Sequence, residues 1–142
     1  MGKNILVIGA FDTKGEEYNF LREIIVSRGH KTVMMNTGVL GTTKLFPVDV
    51  EAAEVASAGG ADINALREKK DRGQAMKAMC EGAAAVTLRL FKQGKIDGVI
   101  GMGGTGGTTV VASAMRALPV GFPKVCVSTA ASGDTSPYVG TK

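Results

Sequence analysis

The stretch Ile96–Leu118, IDGVIGMGGTGGTTVVASAMRAL, runs from a short apolar segment at Val99 and Ile100 into five glycines within seven residues: Gly101, Gly103, Gly104, Gly106 and Gly107. Past two threonines, Val111, Ala114, Met115 and Leu118 recur at the spacing of one helical face. Strand, glycine loop and helix, in that order, aim backbone N–H groups and the positive end of a helix at one point, an arrangement that suits an anion. The loop is expected over Gly101–Thr108.

Upstream the same alternation recurs. Asn4–Ala10, NILVIGA, is apolar nearly throughout, as a strand covered on both faces should be. A break at Ala10–Gly15 predicts a second loop. A helix follows from Glu16, with Leu21, Ile24 and Ile25 inward and its end near Gly29. Lys31–Asn36 reads as a second strand, parallel to the first if the crossover has the usual right hand. Residues 38–70 carry little periodicity. They read as loop with one or two helical turns, a short helix over Val50–Ala56 and another after a cap at Asp62 or Asn64, in a stretch long enough to suggest a functional or partner surface. Asp71–Gln93 is the strongest helix, with Met76, Met79, Cys80, Ala83, Val86, Leu90 and Phe91 in phase and Gly94 as its stop. A fourth strand is expected at Lys124–Ser128, before a small polar tail.

Strand and helix alternate throughout, which predicts one domain over residues 1–142. Its class is α/β, with an open, mainly parallel, doubly wound sheet (Rossmann- or flavodoxin-like) of about four strands. The expected order puts the first strand between the second and the third, with the fourth outside the third. Ligands of such sheets bind at the carboxyl ends of the strands where the order reverses, here between the first and third. Both unusual loops lie there.

Composition narrows the classes. Lys and Arg number 17 against 13 acidic residues, a net charge of +4 that mildly favours an anionic ligand. The basic residues are dispersed, Lys69, Lys70 and Arg72 forming the densest group, and no aromatics interleave with them, which argues against nucleic acid. His30 is the only histidine, and Cys80 and Cys126 stand far apart in apolar settings, so a metal centre or a Cys–His nucleophile lacks material. Reduced, buried thiols and a cytoplasmic location are expected, with no apolar run approaching membrane-spanning length.

The glycine motif departs from both familiar patterns. Gly101-x-Gly103-x-x-Gly106 matches a dinucleotide fingerprint, but it follows the third strand, and the next strand ends in Val127-Ser128-Thr129 with no acid for a ribose. Compared with a P-loop, Gly106-Gly107-Thr108 keeps the threonine and puts Gly107 where the lysine belongs. The missing positive charge is expected from Lys14 on the neighbouring loop, beside Thr13 as a hydroxyl donor and Asp12 as a helix cap or a ligand to magnesium-bound water. On the plainer alternative, Asp12 only caps, Lys14 is solvated and the glycines permit tight packing.

Taken together, Gly9–Gly15 (GAFDTKG), Arg72-Gly73, Gly98–Thr108 (GVIGMGGTGGT), Arg116–Lys124 (RALPVGFPK), Val127–Asp134 (VSTAASGD) and Tyr138–Gly140 resemble one family, and the resemblance runs along the whole chain. It is the uncharacterised bacterial, archaeal and fungal family that includes the tomato inhibitor of tobamovirus RNA replication. The resemblance implies an ATP-binding α/β N-terminal domain, and Asp12 is what could bring Mg2+ with the nucleotide. Family members are usually far longer and add a barrel-like C-terminal domain, so this chain is expected to correspond to their N-terminal part. By the same resemblance Thr13 and Lys14 contact nucleotide, and Gly103, Gly104, Thr105, Gly106, Gly107 and Thr108 form the phosphate cradle. Arg72 reaches in from the long helix, and Ser128, Thr129 and Ser132 line the crevice. Ala10-Phe11 departs from the family, where a threonine and a small residue are commoner.

Three functions follow as expectations: a nucleotide-binding module, which is preferred; part of a phosphoryl-transfer or ATP-hydrolysing enzyme; or a protein-interaction module. No catalytic residue is assigned, and Asp12 and Asp134 are the carboxylates best placed to hold magnesium or orient water. A bare sheet edge would invite homo-oligomers.

Overall fold

In the computed structural model, which describes residues 2–141, the four apolar runs are strands β1 (Asn4–Gly9), β2 (Lys31–Asn36), β3 (Gly98–Gly103) and β4 (Lys124–Ser128). They lie in the order β2-β1-β3-β4, and every pairing is parallel. Val7 of β1 stands opposite Met34 of β2 on one side and Ile100 of β3 on the other. This is the expected order, so the reversal falls between β1 and β3.

Five helices flank the sheet: α1 (Phe11–Ser27), α2 (Ala52–Ala58), α3 (Ile63–Lys69), α4 (Arg72–Lys92) and α5 (Thr105–Arg116). Successive side chains of a strand point to opposite faces, and β1 shows both destinations. Leu6 and Ile8 enter a core built with α2 to α5, whereas Val7 packs with Phe11, Tyr18, Met34 and Phe46 on the α1 face. The long helix buries Met79, Ala83, Val86 and Leu90, as its periodicity predicts. It meets α2 backbone to backbone, since a Cβ added at Gly82 would lie 1.8 Å from the Val55 carbonyl oxygen.

Several expectations are corrected. The first helix begins at Phe11, not Glu16, so Ala10–Gly15 is a helical turn with a local break at Lys14 (φ −123°, ψ 25°) and not an open loop. Ile24 is 37% exposed and does not point inward. In residues 38–70 the two short helices are found as expected, but α2 starts at Ala52 and not Val50, and the cap of α3 is Asp62 and not Asn64: its carboxylate accepts the Ala65 N–H at 3.3 Å. Cys126 is exposed and Cys80 half-buried, so neither thiol lies in the core. Among the described residues no helix is long and apolar enough to cross a membrane.

One part of that irregular stretch has a definite task. Residues 49–50 run beside the outer edge of β2: Asp49 and Val50 donate N–H groups to the Met34 carbonyl at 2.9 and 3.0 Å. In return Asn36 donates to the Val50 carbonyl at 2.8 Å, and the Asp49 carboxylate accepts the Met34 N–H at 2.7 Å. That edge is covered at Met34 and Asn36.

Candidate functional site

The glycine segment is less of a loop than the sequence suggests. β3 continues through Gly103, Gly104 alone makes the turn, and Gly106 and Gly107 already lie in the first turn of α5. Such an abrupt join requires helix and strand to touch: a Cβ on Gly103 would stand 3.0 Å from the Gly107 Cα. The first N–H groups of a helix have no partner within it. At α4 Asp71 supplies one by accepting the Gln74 N–H at 3.1 Å, but no side chain caps α5, whose N-cap is Gly104. The amides of Thr105, Gly106 and Gly107 therefore open a helix beside the end of β3 with little side-chain bulk over them.

Thr108 and Ser128 are brought together, and their hydroxyls bond to each other in a short contact. Ser128 also accepts the Ala130 N–H at 3.0 Å, and Thr108 is buried. These two hydroxyls tie α5 to β4 and stand behind the glycine turn. Thr129 lies next to the turn, its Oγ1 3.8 Å from where a Cβ on Gly104 would be, and is exposed. Arg72 begins α4, one turn before Met76, whose Cε would lie 3.2 Å from a Cβ on Gly106. The long helix thus starts beside the start of α5. A cavity of about 280 Å³ between α5, β4 and the tail borders Thr108 and Ser128 and is lined further in by Ala112, Met115, Cys126 and Val139.

On the β1 side the decisive residue is one the sequence did not single out. Tyr18 of α1 is buried, and its hydroxyl sits where β1 and β3 part. It accepts the Met102 N–H at 2.8 Å, and its one proton serves the Ile8 carbonyl at 2.7 Å or the Met102 carbonyl at 2.6 Å. The ladder between the strands ends at Ile8 and Gly101, so the phenol takes over at the next step and holds their ends apart. Gly9 makes room for the ring, since a Cβ there would stand 2.0 Å from the Tyr18 Cζ. Burial holds the phenol well above its ordinary pKa, with the Met102 backbone bond working the other way.

Asn36, at the end of β2, is a second unforeseen centre. Its Oδ1 accepts the N–H groups of Phe11 and Gly38 at 3.0 and 2.8 Å, and its Nδ2 donates to the Gly41 carbonyl and the Glu51 carboxylate at 2.8 and 3.0 Å. With every polar atom committed, it has nothing to offer a ligand. The signal was present in the sequence as a polar residue ending an apolar strand. Asp12 does not cap α1, whose N-cap is Ala10. Its Oδ2 accepts the Leu40 N–H at 3.1 Å, while its Oδ1 is buried with no partner. Thr13 and Lys14 are exposed on the same turn. Asp134 folds onto Ser136, accepting its N–H and hydroxyl at 2.9 and 3.0 Å, and those bonds hold its carboxyl below the usual range.

Residues 3–142 match the model of the N-terminal domain of an uncharacterised protein family, UPF0261. A UPF0261 protein of Clostridium tetani is 51% identical over 142 residues, which cover 100% of this chain and 35% of that protein. One from Mesorhizobium japonicum is 43% identical over 139 residues, 96% of this chain and 33% of that protein. The ToMV susceptible protein of tomato, Solanum lycopersicum, is 32% identical over 154 residues, 96% of this chain and 20% of that protein. The chain therefore spans about a third of the length of these bacterial relatives.

Proposed function

The chain belongs to the uncharacterised protein family UPF0261, as its N-terminal domain, and from that premise we propose that it binds ATP by its phosphates at the junction of β3 and α5. The observation that carries the reading is the uncapped start of α5: a helix terminus with glycines at 104, 106 and 107, at the carboxyl end of a strand bordering the reversal point of the sheet. Such a terminus offers several N–H donors and a partial positive charge to an anion. Gly107 supplies no cation of its own, so in this reading charge comes from Lys14, exposed in the first turn of α1, and from Arg72 at the head of α4. Thr105 and Thr129 are the exposed hydroxyls beside the turn. Thr108 and Ser128, engaged with each other, position the turn and do not themselves reach the phosphates. The cavity beside them is of a size to receive part of a nucleoside.

Asp12 is the residue that would hold Mg2+, since its Oδ1 lacks a partner, although that oxygen is buried against Gly38 on the β2 side of the turn. Such an ion would neutralise phosphate charge, and the carboxylate would hold it through its water shell. That orphaned oxygen also favours a second reading, in which the domain is part of a phosphoryl-transfer or ATP-hydrolysing enzyme and Asp12 orients a water.

Titration with ATP and Mg2+ by calorimetry separates these readings. The chain is expected to bind, and Gly104→Val or Lys14→Ala to weaken affinity about tenfold, or ~1.4 kcal/mol. Unchanged affinity in both variants would refute the site. Steady ADP production that Asp12→Ala abolishes would establish the enzyme reading in place of the binding module.

A further inference from the structure

β1 and β3 are paired from Ile5 and Gly98 as far as Ile8 and Gly101. The next rung of that parallel ladder would join the Met102 N–H to the Ile8 carbonyl. A side chain occupies it instead. The Tyr18 hydroxyl accepts the Met102 N–H at 2.8 Å and lies 2.7 Å from the Ile8 carbonyl oxygen, so the phenol oxygen stands between donor and acceptor. The strands are spread at the reversal point of the sheet, where ligands of such folds enter. Tyr18 itself is 1% exposed, so no ligand at the mouth of that crevice reaches it.

Met102 leads from the phenol to the glycine turn. Gly103 and Gly104 follow it directly, and a Cβ added at Gly107 would stand 3.7 Å from the Met102 carbonyl oxygen. The same carbonyl oxygen is 2.6 Å from the Tyr18 hydroxyl. It therefore sits between the phenol and the first turn of α5. Tyr18 has one proton for two carbonyls. Placed on Ile8 the proton bridges the two strands, and placed on Met102 it leaves the Ile8 carbonyl without that partner.

We infer that Tyr18 is a positioning residue of the β3–α5 junction: its hydroxyl sets the gap between β1 and β3 and, through Met102, the place of the N–H groups of residues 105–107. This rests on the reading of that junction as a phosphate site. Without the hydroxyl, the Met102 N–H closes toward the Ile8 carbonyl. Met102 and the turn after it are then drawn toward β1, and the N–H groups at the start of α5 lose their aim at a phosphate. The coupling also runs the other way. Negative charge arriving at the start of α5 favours the phenol proton on the Met102 carbonyl, the acceptor beside Gly107. Occupancy of the site is thus felt at a buried phenol that the ligand does not touch.

Calorimetry with ATP and Mg2+ on the whole chain tests the inference, together with NMR of protein isotope-labelled at the tyrosine Cζ. Tyr18→Phe is expected to bind about tenfold more weakly than wild type. Gly82→Ala, whose methyl meets the Val55 carbonyl where α2 crosses α4, is the comparably destabilised control and is expected to stay within about twofold. Circular dichroism shows that each variant is folded at the titration temperature. The chain has two tyrosines, and the NMR signal that survives in Tyr138→Phe belongs to Tyr18. Inorganic triphosphate with Mg2+ carries no aromatic ring, and the wild-type Tyr18 signal is expected to shift in step with its binding. That measurement leaves Tyr18 unchanged, so it decides the matter even where Tyr18→Phe does not fold. If Gly104→Val weakens binding, three results overturn the inference alone: Tyr18→Phe as tight as wild type, an equal loss in Gly82→Ala, or a Tyr18 signal unmoved at saturation. A wild-type chain that binds neither ATP nor triphosphate overturns the phosphate site and the inference with it.

Discussion

Tyr18→Phe is the most informative single change, because it removes one oxygen and leaves the ring in place. That oxygen takes the Met102 N–H and serves one of two carbonyls, Ile8 or Met102. Without it, a buried amide and a buried carbonyl lose their partner, at about 1–3 kcal/mol each. Partial closing of the strands, bringing the Met102 N–H toward the Ile8 carbonyl, would recover some of this. A net loss of about 2–4 kcal/mol is expected, a large share of the ~5–15 kcal/mol available to a domain of this kind. Urea unfolding with an unchanged m-value would show the midpoint falling by about 1–2 M. A shift worth less than ~0.5 kcal/mol would refute the reasoning, since the phenol would then be a packed ring and not part of the backbone ladder.

The same hydroxyl predicts a pH dependence. Burial raises the phenol's pKa in the folded state, so its contribution is fully present below the ordinary phenol value, about pH 10. Above that the unfolded phenol ionises while the folded one keeps its proton, and stability falls with a slope of about 1.4 kcal/mol per pH unit. Tyr18→Phe removes this component of the alkaline slope. Parallel slopes in the two proteins between pH 10 and 11 would contradict it.

Two further variants probe the frame around the site. Gly82→Ala would stabilise an isolated helix by about 0.8–1.0 kcal/mol, but here the new methyl meets the Val55 carbonyl at 1.8 Å, and a net destabilisation of about 1–3 kcal/mol is expected; a raised melting temperature would show that α2 and α4 do not cross this closely. Asn36→Asp keeps the acceptor for Phe11 and Gly38 but turns a carboxylate oxygen toward the Gly41 carbonyl and Glu51. Its folded pKa would lie above the ordinary aspartate value, so the variant should lose about 2 kcal/mol or more at neutral pH and regain it in acid; a pH-independent difference from wild type would argue against the hub.

What was legible in the sequence follows from how each signal is generated. β1 announces itself by an unbroken apolar run, because it is covered on both faces, and α4 by its period, because it buries one stripe. Strand order followed from topology alone. The Ala10–Gly15 turn misled because Gly9 and Gly15 look like loop residues, whereas Gly9 accommodates a ring and Gly15 abuts the Thr43 side chain. Likewise Gly101 and Gly103 serve packing of α5 on β3, so glycine density overstated the length of the turn. Tyr18 and Asn36 could not be found by periodicity, since their roles depend on partners 84 residues away in one case and spread from Phe11 to Glu51 in the other. The Thr13, Lys14 and Arg72 assignments came from resemblance and charge, and of these the titration above tests Lys14.

The central place of β1 has a consequence for how the chain is made. β1 and β2 can pair as soon as the first 36 residues exist, but the other side of β1 waits for β3, which begins at Gly98. At typical synthesis rates of about 5–20 residues per second, the intervening ~60 residues take roughly 3–12 s to appear. Throughout that interval α2, α3 and α4 are made with only half a sheet to rest on, and the most apolar strand keeps one edge unsatisfied. The nascent chain is therefore most open to mispairing before Gly98 is synthesised, and a helper that shields apolar segments would matter most in that window.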